Sequence, residues 1–403
     1  MDICDYNHCT GCGACRQKCP KHCITMVPDE LDSLYPKINE NECISCGTCK
    51  RVCPNNRKIN LNLPRSAYAA WSNDLTNRLK SASGGIATEI YNYCIKEGFY
   101  SVGVTWDRER GAYFIPIYNE DDIKRVRNSK YVFSDTDLIF QNIKTILSNN
   151  IPVVFIGLPC QVSGLYSFLG KSYEKLITID LICHGVAPAS YLEQHISAIE
   201  KKKKLYTKFL SFRDPDFQTS KYTFTLRNED GRLFYKNKVR SYDNYQLGFH
   251  RSLIYRRNCY NCLYARHERV SDLTIGDFSG LGKLTPVNYD KNNVNCVLIN
   301  TEKGELFLKR LGNKITLCER PIEEALKFEH QLQRPSEPHQ YRTMFTYLYS
   351  SEKKFEKSCN SVLIKDKIRV FLRIGLWGYD LRRFLKVIIP HSVIIKLKSK
   401  SYK

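Results

Sequence analysis

Eight of the 18 cysteines fall into two segments with the same spacing, and this repeat constrains the chain more than any other feature. In each segment three cysteines are separated by two residues each, and a fourth cysteine, followed by proline, comes after three more residues. The first segment holds Cys9, Cys12, Cys15 and Cys19, and the second holds Cys43, Cys46, Cys49 and Cys53. The first 62 residues are too few to bury a stable core alone, so we expect bound metal to contribute folding energy.

The spacing is the one that binds pairs of [4Fe–4S] clusters in bacterial ferredoxins, where the fourth cysteine of each segment ligates the cluster of the other segment. We therefore assign Cys9, Cys12, Cys15 and Cys53 to one cluster, and Cys19, Cys43, Cys46 and Cys49 to the other. Zinc knuckles are the alternative, although a tetrahedral zinc site usually takes two Cys-x2-Cys pairs. Cys4 and Cys23 lie outside the pattern, and we interpret both as small buried side chains. Residues 1–62 are thus predicted to form an α+β, ferredoxin-like cluster module.

After a linker at residues 61–64, apolar runs typical of strands alternate with helical patterns. Residues 151–156 and 176–182 read as buried strands, and residues 161–169 between them read as a crossover helix. Further helices are predicted at residues 86–96, 138–147 and 188–204, a strand at residues 101–105, and a hairpin around residues 228–231. We expect residues 63–345 to form an α/β domain with a mixed sheet.

Four more cysteines form a second constellation. Cys160 and Cys183 each follow the carboxyl end of a predicted strand, where ligands of α/β sheets collect, and Cys259 and Cys262 form a Cys-x2-Cys pair. Four thiols are enough for one more [4Fe–4S] cluster, but a zinc site or four unliganded cysteines fit the spacing as well. The remaining cysteines are interpreted as core or surface thiols: Cys94, Cys296, Cys318 and Cys359.

Six short motifs follow one another between about residue 78 and about residue 310. They are Ser81-Ala82-Ser83-Gly84-Gly85, Asn128-Ser129-Lys130-Tyr131-Val132, Gly157-Leu158-Pro159-Cys160-Gln161, Cys183-His184-Gly185, Cys259-x2-Cys262 and Ser271-Asp272-Leu273-Thr274-Ile275-Gly276-Asp277. In this order they resemble the beta subunits of coenzyme F420 hydrogenase and dehydrogenase. The resemblance implies FAD and a third [4Fe–4S] cluster, ligated by the four cysteines of the second constellation. Because the family includes F420-linked enzymes and ferredoxin-dependent reductases, the resemblance does not identify the substrate.

The candidate flavin residues are Ser83, Gly84, Gly85, Lys130 and Asp277. The Ser-Gly-Gly segment opens a predicted helix, whose N-terminal N–H groups favour a phosphate, although such a segment is commonly only a turn and cap. Lys130 is expected either to pair with a phosphate or the flavin ring or to be an exposed lysine, and Asp277 either to bind flavin or substrate or to cap a turn. His184, next to a proposed ligand, is a weak candidate for proton transfer; its alternative is a structural histidine.

The net charge of +21 is unevenly distributed, because residues 1–62 are nearly neutral and the C-terminal end is strongly basic. We treat residues 346–403 as a basic amphipathic tail, which is expected to contact an anionic membrane surface or to pack on the body of the protein. Nucleic acid is a disfavoured partner, since the basic residues form no binding motif. The acidic, cysteine-containing start does not resemble a signal peptide, so we expect a cytoplasmic, reducing environment with peripheral membrane association as an option.

Together these features predict an iron–sulfur flavoprotein oxidoreductase that passes electrons between ferredoxin-type clusters and FAD, and to or from a small organic substrate or a deazaflavin. The alternative is an electron-transfer subunit that feeds a partner enzyme and has no substrate of its own. The sequence does not indicate the direction of electron flow or the oligomeric state.

Overall fold

The computed structural model describes residues 2–239 and 242–368. The helices are α1 Ala14–Lys18, α2 Thr48–Val52, α3 Leu75–Lys80, α4 Ile86–Lys96, α5 Glu120–Val126, α6 Ile139–Ser148, α7 Pro159–Leu169, α8 Ala189–Lys203, α9 Asn244–His250, α10 Arg257–Tyr260, α11 Glu302–Lys309, α12 Ile322–Lys327, α13 Arg342–Glu352 and α14 Phe355–Val362. The strands are β1 Ile24–Pro28, β2 Leu34–Ile38, β3 Ser66–Ser72, β4 Tyr100–Asp107, β5 Gly111–Ile117, β6 Ser134–Asp135, β7 Val153–Gly157, β8 Leu176–Leu181, β9 Phe209–Ser211, β10 Thr223–Arg227, β11 Leu233–Lys238, β12 Leu273–Asp277, β13 Asn295–Ile299 and β14 Ile315–Arg320.

The N-terminal module repeats one short unit twice. Gly13 and Gly47 precede α1 and α2 with φ angles of 74° and 68°, a left-handed conformation that glycine adopts without steric cost. Each helix ends at an extended cysteine, Cys19 or Cys53, because the proline that follows cannot continue a helix. The hairpin β1–β2 connects the two units, and its register pairs Ile24 with Ile38. The repeat in the sequence is therefore also a repeat of helix position and helix ending.

The body is built on a nine-stranded sheet with the order β14-β3-β13-β12-β8-β7-β4-β5-β6. The central strands β12, β8, β7 and β4 pair in parallel, whereas β13, β3 and β14 extend one side and β5 the other in antiparallel pairs. All five residues of β7 are buried, as expected of a parallel strand covered on both faces. The predicted mixed sheet is confirmed, while the ferredoxin-like fold of the N-terminal module stays a prediction.

Local structure follows the sequence pattern closely in the first half of the body. The predicted helix at residues 86–96 is α4 with the same bounds, and the predicted crossover helix is α7, which starts two residues earlier at Pro159. The predicted hairpin is β10–β11, which joins β9 in a small antiparallel sheet. The segment interpreted as a linker is anchored at Asn62, whose backbone pairs with that of Arg269.

The module and the body are joined by hydrogen bonds between buried groups. The side-chain oxygen of Gln17 accepts a hydrogen bond of 2.9 Å from the backbone N–H of Phe140, and Thr136 donates one of 2.9 Å to the carbonyl of Cys12. Arg256 donates to the carbonyl of Leu34 at 2.9 Å. The guanidinium of Arg256 is also buried, with its carbon 4.5 Å from the centre of the Phe133 ring. These contacts fix the module against the sheet.

Near the end of the described chain, α13 and α14 pack on α8. Tyr191 of α8 stacks on Phe355 at a ring separation of 5.3 Å and meets Tyr349 at 4.6 Å. Beneath these rings, His195 lies between Asp243 and Glu356, at 2.9 Å and 2.5 Å. The basic residues expected to contact a membrane, around 364–389, lie mostly outside the described residues, so the role of the tail stays a prediction. Among the described residues no helix is long and apolar enough to cross a membrane.

The His195 contact makes the stability of the protein depend on pH. Burial alone would lower the pKa of His195, but Asp243 and Glu356 outweigh burial and raise it from 6.5 to about 10. Because the folded state holds this proton more tightly than the unfolded state, the stabilisation is complete below pH 6.5 and is lost as the pH rises through about 10.

We therefore expect His195→Gln to lower the free energy of unfolding by about 3 kcal/mol at pH 6, since a buried carboxylate then lacks its partner and the other carboxylate is partly exposed. The difference from wild type should shrink towards pH 10.5, which thermal unfolding followed by circular dichroism will measure. His267→Gln, at an exposed position, is the control. A difference that does not change with pH would contradict an ionic role for His195.

Candidate functional site

The first two cysteine groups each line one cavity of the N-terminal module. Cys9, Cys12, Cys15 and Cys53 line the cavity that we call the inner site. Cys19, Cys43, Cys46 and Cys49 line the second, which we call the outer site. This is the division that the crossed ligation pattern predicts, with each fourth cysteine reaching the other segment's group. In the inner site all four cysteines are buried, whereas Cys46 of the outer site is exposed.

Backbone N–H groups point to the sulfur atoms in both sites. The N–H groups of Gly11 and Ala14 donate to the thiols of Cys9 and Cys12, and that of Thr48 donates to Cys46. The left-handed glycines make this orientation accessible, because they let the backbone reverse directly after a cysteine. Such donors stabilise negative charge on thiolate sulfur, as cluster ligands require.

The four cysteines of the second constellation also meet in one cavity, which we call the third site: Cys160, Cys183, Cys259 and Cys262. Cys160 is the second residue of α7 and Cys183 follows β8, so both lie at the carboxyl edge of the parallel strands. Cys259 belongs to the short helix α10. The tertiary structure thus brings together thiols that are as much as 100 residues apart in the chain.

None of the three sites has the arrangement of a single-ion centre. In the part of the chain that the structure describes, no group of three or more His, Cys, Asp or Glu side chains is placed to hold one metal ion. Each site instead offers four thiols around a cavity. This donor set suits an iron–sulfur cluster, whose ligands are thiolates spread around a larger body.

The sites are neighbours in a fixed order. Thr10 lines both the inner site and the third site. Helix α7, which carries Cys160 at its start, passes so close to the inner site that a Cβ atom on Gly164 would lie 3.0 Å from the Cys12 sulfur. On its other side, the third site shares Leu158, Gln161 and His184 with a large cavity of about 430 Å³.

The large cavity lies over the carboxyl ends of the parallel strands. Residues at the ends of β7, β8 and β12 form its floor: Ile156, Gly157, Leu181, Ile182, Ile275, Gly276 and Asp277. Of the predicted site residues, Ser83, Gly85, Lys130, Asp277 and His184 line this cavity. Gly84 lies between two lining residues, against the backbone of β3 and β13. One cavity therefore brings together the residues that the motifs suggest for flavin.

The glycine segment has a backbone that a side chain would disrupt. A Cβ atom on Gly84 would lie 2.3 Å from the carbonyl oxygen of Ala70 and 2.8 Å from the backbone nitrogen of Asn295. Gly85 has a φ of 86° and starts α4, whose first turn opens to the cavity. Ser83 donates its hydroxyl to the carbonyl of Val294 at 2.8 Å. This loop therefore presents bare backbone and a helix N-terminus to the cavity, which suits a phosphate.

Lys130 has protein partners in the structure. Its ammonium donates to the carbonyl groups of Arg125, Arg127 and Asn128 at 3.2, 2.8 and 3.2 Å. Burial lowers the pKa of Lys130 to about 7. The side chain thus holds the turn after α5 in place, in contrast to the exposed lysine that was one of the two expectations.

Asp277 is held by two side chains that no motif contains. It accepts hydrogen bonds from Arg213 at 2.7 Å and from the hydroxyl of Tyr222 at 2.5 Å. Arg213 also stacks over the Tyr222 ring, with its guanidinium carbon 4.2 Å from the ring centre. Asp277 therefore anchors one wall of the cavity, and the capping role considered from the sequence does not describe these contacts.

Several other lining residues had no signal in the sequence. Arg127 and Asn128 each have a buried polar atom, Nε and Oδ1, without a hydrogen-bond partner among the described residues. His250 also lines the cavity, and burial, reinforced by His184 and Arg213, lowers its pKa to about 3. Asn128 stands in a motif, whereas Arg127 and His250 become candidates only through their position in space.

Comparisons with known proteins agree with the order of these elements. Residues 8–58 match the family model of a 4Fe-4S dicluster domain, and residues 152–325 match that of the C terminus of the coenzyme F420 hydrogenase/dehydrogenase beta subunit. Ser83, Gly84, Gly85 and Lys130 precede the second match, so their roles stay predictions. No curated protein sequence shows significant similarity to the chain.

Among solved structures, the chain is similar to one from the xenon-derivatized F420-reducing [NiFe] hydrogenase complex of Methanosarcina barkeri. The identity is 18%, the match covers 79% of this chain and 95% of that chain, and the TM-score is 0.43. The two family matches confirm the relationship that the motifs indicated. The chain belongs to the coenzyme F420 hydrogenase/dehydrogenase beta-subunit family and carries a 4Fe-4S dicluster domain at its N-terminus.

Proposed function

We propose that the chain is an iron–sulfur flavoprotein oxidoreductase with [4Fe–4S] clusters in the inner, outer and third sites and FAD in the large cavity. The observation that carries this proposal is the continuity of the inner site, the third site and the large cavity: Thr10 joins the first two, and His184 joins the third site to the large cavity. The clusters supply single-electron transfer, and the flavin supplies the exchange between one and two electrons.

The protein groups have separate tasks in this proposal. Twelve cysteines hold the clusters, and backbone N–H groups stabilise the charge on their sulfur atoms. The glycine loop before α4 admits a phosphate to bare backbone, and the unpartnered Nε of Arg127 is a cationic donor in the same cavity. The Arg213–Asp277–Tyr222 contacts keep the opposite wall rigid.

The exposed position of Cys46 makes the outer site the entry point for electrons from a redox partner protein. At the other end, a small organic substrate reaches the large cavity, where His250 stays neutral at pH 7 and keeps a ring nitrogen able to accept a hydrogen bond. A deazaflavin is one candidate substrate, suggested by the family to which the chain belongs.

Anaerobically purified protein should contain about twelve iron atoms and one flavin per chain, as three cubanes and one FAD require. Iron, sulfide and flavin assays, together with the absorption spectrum, measure this directly. With reduced ferredoxin as donor, the isolated chain should turn over small organic acceptors. Iron without flavin, and no turnover, would favour the alternative of an electron-transfer subunit for a partner enzyme.

Gly84→Ala should weaken flavin binding at least tenfold, about 1.4 kcal/mol, because the added methyl group must displace the loop from the Ala70 carbonyl. The iron content should not change, since the cysteine sites do not include this loop. Flavin per chain and a fluorescence titration with FAD give the readout. Gly231→Ala, in the β10–β11 turn with no atom close to the new methyl group, controls for the general effect of replacing a glycine. Equal flavin affinity in the two variants would contradict the assignment.

Cys183→Ser should remove about four iron atoms while the flavin stays bound, because this cysteine lines the third site only. Reduction of the flavin by reduced ferredoxin should then slow at least tenfold, which stopped-flow absorbance measures. Cys296→Ser changes a buried cysteine outside all three sites and serves as the control. An unchanged rate in Cys183→Ser would exclude the third site from the electron path.

A further inference from the structure

The outer site contains a fifth cysteine that the spacing pattern does not use. Cys23 lines the same cavity as the four assigned ligands, and only 4% of its surface is exposed. Its sulfur lies 3.5 Å from the sulfur of Cys19. A cubane takes one thiolate per iron atom at its four corners, so this site has one thiol more than the cluster requires.

Local backbone structure places Cys23 beside Cys19. His22 has a left-handed φ of 51°, and its N–H donates to the carbonyl of Cys19 at 3.2 Å, which closes a tight turn between the two cysteines. The carbonyl of Cys23 in turn accepts a hydrogen bond of 2.8 Å from the N–H of Asn39, at the end of the β1–β2 hairpin. The second thiol is therefore fixed next to the first by the chain itself and by a strand pair.

The inner site has a comparable surplus thiol. Cys4 lines that cavity, and its thiol contacts the thiols of Cys9 and Cys53. Cys4 precedes the first cysteine of its segment, whereas Cys23 follows the last, so the two surplus thiols are not copies produced by the repeat. Their shared feature is contact with an assigned ligand, which a merely buried cysteine does not need.

We propose that Cys23 is a reserve ligand of the outer cluster, able to replace Cys19 on iron; this rests on the cluster proposed above for the outer site. In the exchange, the Cys23 thiol releases its proton to solvent and forms an Fe–S bond, while the Fe–S bond to Cys19 breaks and Cys19 takes up a proton. No electron is gained or lost. The outer site is the exposed one of the pair, so a spare thiol protects the cluster that is most open to iron loss.

The test compares Cys19→Ala with Cys19→Ala/Cys23→Val. Valine fills the space of a buried cysteine without offering sulfur. We expect Cys19→Ala to keep about twelve iron atoms per chain, with a changed EPR spectrum after dithionite reduction, and the double variant to lose about four. Cys19→Ala/Cys94→Val, which alters a buried cysteine remote from the clusters, should keep its iron like Cys19→Ala. Loss of the same four iron atoms from Cys19→Ala alone would overturn the proposal.

A second measurement leaves Cys19 in place, in case its replacement prevents folding. Iron release to a chelator should be about tenfold faster from the Cys23→Val protein than from the Cys94→Val protein, and equal rates would also overturn the proposal. Failure of the underlying function is distinguishable, because it would be seen in the wild-type protein as missing iron before any variant is compared.

Discussion

The arrangement of the whole protein depends on the close approach of helix α7 to the inner site. Gly164 has no side chain, and a Cβ atom there would lie 2.9 Å from the Cβ and 3.0 Å from the sulfur of Cys12. The helix begins at Pro159, directly after β7, so Cys160 is fixed at the edge of the sheet only one turn before this contact. One rigid element thus sets the separation of two cysteine groups that come from different parts of the chain.

Polar contacts make that approach specific as well as close. Gln17 binds the first turn of α6, and Arg269 pairs with Asp180 at 2.8 Å beside the third site, where both side chains are buried. A buried ion pair contributes little net stability, but losing one partner leaves an uncompensated charge, so such a pair favours one arrangement over its alternatives. The relative position of module and body is therefore set by hydrogen bonds that only one docking geometry satisfies.

Features governed by short-range chemistry could be predicted from the sequence. The grouping of eight cysteines into two crossed sets follows from their spacing, and the bounds of α4 follow from its glycine start and apolar period. Strands β3, β13 and β14 were not predicted, because their antiparallel pairing joins segments more than 200 residues apart. Arg213 and Tyr222 were missed for the same reason, since they reach Asp277 only through the tertiary structure.

The strands that sequence reasoning missed also shape the cavity that the motifs suggested. Parallel strands β7, β8 and β12 bring their carboxyl ends to one edge, which explains why a ligand site lies there. The antiparallel strands β3 and β13 then supply the two backbone groups, at Ala70 and Asn295, that leave room only for glycine at position 84. The Ser-Gly-Gly motif is therefore a consequence of the mixed sheet as much as of the phosphate it is proposed to bind. A glycine required by packing on one side leaves bare backbone on the other, and a single constraint serves both the fold and the proposed cofactor.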